Sequence, residues 1–136
     1  MNCLLPRPTA YLSATMLLAL AAGCASSGYH SSEIEGRRYF TTNLDTYPVV
    51  INRVDGQSPL INDPPVRVDP GPHTIDVQGP PTLTNPGEFR SIALDVKPCT
   101  RYYLVAVKAS HLDNDFNVRV DYQMPVPGCT PPPASN

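Results

Sequence analysis

Proline limits what this chain can become. Seventeen of its 136 residues are Pro. Through the middle of the chain they fall at intervals too short for helices of ordinary length, because each removes a backbone donor and clashes with the turn before it. Helical periodicity is nearly absent, whereas short β-branched and aromatic runs are plentiful. The sequence predicts strands at 37–42, 48–54, 65–68, 73–78, 89–96, 101–109 and 116–124, and a loop over 80–87. Such strands, separated by turn signals such as Asp55-Gly56 and Asp69-Pro70-Gly71-Pro72, indicate an all-β fold: a single antiparallel β-sandwich of about seven strands.

The amino-terminal segment follows different rules. Arg7 precedes a run without charge from Ala10 to Ala22, which as a helix is about 20 Å long and too short for a hydrocarbon core of roughly 30 Å. A positive start, a short apolar stretch and small residues beyond it are the layout of an export signal. Leu20-Ala21-Ala22-Gly23-Cys24 resembles the lipobox of bacterial lipoproteins, with Ala21 where that motif usually carries Leu. The resemblance implies removal of residues 1–23, lipidation of Cys24 with diacylglycerol and acylation of its new amino terminus. It further implies sorting to the outer membrane, facing the periplasm or the cell surface, since Ala25 rather than Asp follows the cysteine. The alternative is cleavage at an ordinary signal site, with Cys24 unmodified. Residues 24–36, rich in Ser and Gly, read as a lipidated tether. Residues 37–129 read as the folded domain and the Pro-rich 130–136 as a disordered tail.

Cysteine usage agrees with export. Cys3 lies in the leader and Cys24 at the lipidation site, leaving Cys99 and Cys129. An even pair in an exported domain is most simply a disulfide. Two free thiols or half of a metal site are the alternatives, and the three histidines, His30, His73 and His111, show no ligand-like spacing. The net charge of −2, with signs interspersed, provides no basic surface for nucleic acid.

Two local patterns refine the fold. Val54-Asp55-Gly56, followed by Val66 to Val77 with Asp69-Pro70-Gly71-Pro72-His73 between, resembles the PEGA-like modules of bacterial envelope proteins. The run Val96, Pro98, Thr100, Tyr102, Leu104, Ala106 resembles the corner of fibronectin-type and immunoglobulin-like sandwiches. That likeness implies a Tyr102 that turns inward and bonds upstream backbone. The other face of the same strand carries Tyr103, Val105 and Val107. Either loops or the tether cover it, or it is an exposed partner-binding patch.

Catalytic chemistry is hard to find. No nucleophile elbow surrounds any Ser, and His111 with Asp113 lies in a polar turn. Asp113-Asn114-Asp115-Phe116-Asn117 imitates the opening of a calcium loop, but Val118 and Met124 stand where an EF-hand needs Gly and Glu. A looser calcium site at 113–117 and a plain turn are both compatible with the residues. The expectation is a non-enzymatic protein with no catalytic residue, metal or cofactor. It would be anchored in the membrane by lipid and dock to another cell-envelope protein. A glycan-binding module using its tyrosines is the alternative.

Overall fold

The computed structural model describes residues 30–59 and 65–133; the leader, Cys24 and most of the tether lie outside the described residues, as do residues 134–136 of the tail. Among the described residues there are eight strands and no helix. The strands are β1 (Ser32–Glu35), β2 (Thr46–Pro48), β3 (Val50–Val54), β4 (Val66–Val68), β5 (Gly71–Gln78), β6 (Phe89–Val96), β7 (Thr100–Val107) and β8 (Asn117–Pro125).

Two sheets form. In sheet A, β7 is paired along one edge with β8 and along the other with both β1 and β2, and β4 lies outside β1. Sheet B runs β3-β5-β6, all antiparallel. Ile34, Val68, Tyr102, Leu104 and Ala106 from sheet A meet Ile75, Val77 and Val96 from sheet B in one core. The alternation that puts these residues inward puts their sequence neighbours on the outer faces.

Several expectations need correction. Residues 37–42 are not a strand but part of the connection between β1 and β2. Their pattern explains this: Tyr39 and Phe40 are adjacent, so an extended strand would send them to opposite faces, whereas here both are half-exposed. Ser32–Glu35, placed in the tether, is instead a buried strand, so the folded domain starts before residue 37. Its pairing with β7 is parallel, so the fold is not wholly antiparallel.

The span 48–54 is also divided. β2 belongs to sheet A and β3 to sheet B, so the chain changes sheets at Val49. β1 climbs one half of the β7 edge from Arg101 to Tyr103, and β2 descends the other half from Val107 to Val105.

Both turn signals act through left-handed backbone. Asp55 and Gly56 have φ of 51° and 78°, the two positive values of a type I′ turn, and Val54 and Gln57 exchange backbone hydrogen bonds of 2.9 and 3.0 Å across it. Gly71, at φ 133°, opens β5 after the Asp69-Pro70 corner.

Candidate functional site

One end of the molecule is stapled. Cys99 and Cys129 form a disulfide with Cα atoms 5.4 Å apart, and the Val126 N–H donates to the Cys99 carbonyl at 2.8 Å. At this end the two ends of the described residues converge: the Cys99 N–H donates to the His30 carbonyl, and His30 Nδ1 bonds the Thr130 carbonyl at 2.6 Å. Beside them Tyr102 is buried, and its hydroxyl accepts a 2.9 Å hydrogen bond from the Lys97 N–H. His30, just ahead of β1, thus lies at the disulfide end.

The outer face of β7 is not bare. Tyr103 and Val105 are buried and Val107 is half-buried. The 36–45 connection folds back over this face, held by the Arg38 guanidinium, which donates to the Asn43 and Thr46 carbonyls. Its Tyr39 ring stacks on Tyr122 with centroids 4.0 Å apart and meets Tyr103 edge-on at 5.0 Å; Phe40 meets Tyr122 edge-on at 5.3 Å. Tyr103 and Val105 are thus not available to a partner as they stand. What is presented instead is Tyr39 at 43% exposure, Phe40 at 48% and Leu44 at 83%. The missed signal was in the sequence: Arg37-Arg38-Tyr39-Phe40 mixes cations and rings as a surface segment does.

Charges surround these rings. Glu33 sits in register between Arg67 on β4 and Arg101 on β7, and Arg101 Nε donates to its carboxylate at 2.7 Å. Arg37 pairs with Glu35 at 3.4 Å and Arg119 with Asp121 at 3.2 Å.

The opposite end of the molecule carries a second surface. The 80–87 and 110–115 loops are joined by Thr82 Oγ1 donating to Asn114 Oδ1 at 3.1 Å. Below them Arg90 bridges Glu88 (2.8 Å) and Asp115 (2.9 Å) and lies 5.5 Å over the buried Phe116 ring. The Arg90 guanidinium, together with the Phe116 N–H, holds the Asp115 carboxyl below its ordinary range. Asp115, one of the donors expected of a loose calcium site with Asp113 and Asn117, is therefore engaged in bonds within the protein. Among the described residues no group of three His, Cys, Asp or Glu side chains is placed to hold a metal ion. Leu83 and Leu112 on these loops are exposed, as is Phe89 at the start of β6, on the strand face opposite Arg90.

His111 and Asp113 lie exposed in the same loop, where the Asp113 N–H donates to the Ser110 carbonyl. The close Asp–His pair is elsewhere, between two turns. His73 Nδ1 is 2.6 Å from Asp55 Oδ2, and Nε2 is 2.8 Å from the Asp69 carbonyl. Both partners only accept, so the ring donates from both nitrogens as an imidazolium. The Asp55 hydrogen bond accordingly raises the His73 pKa. The Thr74 N–H, donating at 2.8 Å, and then His73 lower that of Asp55. Both ring nitrogens are thus engaged within the protein.

No protein family, curated protein or solved structure matches this chain.

Proposed function

We propose that this protein is an exported lipoprotein, held on the outer membrane through a lipidated Cys24. Its body is a β-sandwich of the PEGA-like or immunoglobulin-like kind, and it docks without catalysis against another cell-envelope protein. The observation that carries the docking reading is the exposure of Leu83 and Leu112 on two loops joined at this end. Two large apolar side chains on two loops braced by hydrogen bonds and ion pairs suit a preformed contact surface. The location suits it too. β7 runs from the disulfide end towards these loops over eight residues, about 25 Å at strand rise, so this surface lies well away from the chain's attachment.

Glycan binding fits the geometry less well. Sugar stacking uses an open aromatic face, and Tyr39 and Tyr122 cover each other.

The test places a photo-crosslinking amino acid at Leu83 or Leu112 of the full chain in living cells. A discrete protein adduct, lost when the probe is moved to exposed Val50 on β3, is the expected result. Adducts to peptidoglycan alone, or no adduct at either leucine, would overturn protein docking. Sedimentation with purified cell wall separates the glycan reading directly.

A further inference from the structure

We infer that the outer face of sheet A, with the 36–45 connection upon it, rests on the anionic lipid surface to which the chain is tethered. The inference depends on the lipid anchor proposed above and adds an orientation to it. Charge is the first argument. Arg37, Arg38, Arg67, Arg101 and Arg119 belong to this face, against Glu33, Glu35, Asp45 and Asp121. The remaining described residues carry four cations against seven carboxylates. The molecule is therefore polarised, with a positive side here and a negative remainder that includes Asp76 and Asp95 on the outer face of sheet B. Anionic headgroups attract the first and repel the second.

The chemistry of the exposed groups agrees. Half-exposed Tyr39 and Phe40, the projecting Leu44 and flanking arginines combine rings that settle at headgroup depth with long cations that reach phosphates from an apolar stem. Reach is the third argument. From Cys24 to Ser31 the chain spans at most about 25 Å when fully extended. It then enters β1, a central strand of sheet A, whose Glu33 and Glu35 lie on this face. A tether of that length keeps lipid at high local concentration beside this face. An acidic protein would have to arrive by diffusion. The Leu83 and Leu112 end is left free at the side for the docking proposed above.

The chain contains no Trp, so each single-Trp variant reports one position. The full acylated protein carrying Phe40→Trp, Leu44→Trp or Leu83→Trp is reconstituted into vesicles of phosphatidylglycerol and phosphatidylethanolamine with brominated acyl chains. Phe40→Trp and Leu44→Trp should shift to the blue and be quenched at least twofold more than Leu83→Trp. The difference should shrink in neutral phosphatidylcholine and when Arg37→Gln is added. Equal quenching of all three, or quenching indifferent to lipid charge, overturns the inference. Intact mass of the same sample separates the two failures. An acylated protein whose indoles at positions 40 and 44 stay in water sinks only the orientation, whereas an unmodified Cys24 sinks the anchor and the orientation with it.

Discussion

Gly36 and Val49 meet where β1 ends and the chain passes from β2 to β3. The Val49 N–H donates to the Gly36 carbonyl at 2.8 Å, and a Cβ on Gly36 would lie 2.0 Å from the Val49 carbonyl oxygen. That oxygen belongs to backbone and cannot rotate away as a side chain does. Gly36→Ala should therefore push β1 and β2 apart on the shared edge of β7, at a cost of about 1–3 kcal/mol. Urea denaturation will show this as a lower midpoint with an unchanged slope. A variant as stable as the parent would mean that the two strand ends separate freely.

Tyr102→Phe removes the acceptor of the Lys97 N–H without opening a cavity. Leaving that donor without its partner should cost about 1–2 kcal/mol. Tyr103→Phe provides the contrast, because the Tyr103 hydroxyl donates to the Met124 sulfur at 3.8 Å and its other partner, the Arg101 guanidinium, keeps Glu33. Thermal unfolding of the pair should rank Tyr102→Phe clearly lower.

The disulfide closes a loop with a sequence separation of 30. In the chain-entropy account, removing it destabilises the domain by about 3–4 kcal/mol. The Cys99→Ser, Cys129→Ser double variant should unfold at markedly lower urea. Hydrogen exchange should also rise first at positions 99 and 126, whose amides tie this end together.

The His73 latch gives stability a pH dependence whose sign is fixed. The folded pKa of His73 is raised from an ordinary value near 6.5. Its contribution is thus fully present below that value and is lost as pH rises through the higher folded pKa. Asp55 acts in the opposite sense: its folded pKa is lowered from 3.8, so its contribution is lost as pH falls through that lower value. Imidazole NMR titration should place His73 above 6.5, and unfolding measured across that region should show stability declining with alkalinity. His73→Gln should flatten the decline. A His73 titrating below 6.5 would contradict the two-acceptor geometry.

Local chemistry made the all-strand character legible. Proline spacing, β-branched runs and the Asp55-Gly56 and Pro70-Gly71 turns act over a few residues, and β3 to β8 lie close to where those signals put them. The Cys99–Cys129 pair was legible because the export reading left no other cysteines to match. β1 was not. Ser32-Glu33-Ile34-Glu35 has a single apolar residue and looks like solvated tether. It is buried because Arg101 meets Glu33, and because the Ser32 hydroxyl donates to the Lys97 carbonyl and accepts from the Thr100 N–H. Those partners lie more than sixty residues away in sequence.

The surfaces divide in the same way. Leu83 and Leu112 in polar loops were visible as residues, but their common end depends on the Thr82–Asn114 bond between loops 32 residues apart. The second apolar face of β7 was visible too, yet its cover was not. Stacking of Tyr39 on Tyr122 needs the connection to fold back across the sheet, which the guanidinium of Arg38 secures. Sequence by itself determined the backbone states available to this chain, since proline, glycine and β-branching act through sterics within a few bonds. Tertiary structure alone decided which charged and aromatic side chains are covered and which face outward, because pairing and burial are settled between residues brought together only by the fold.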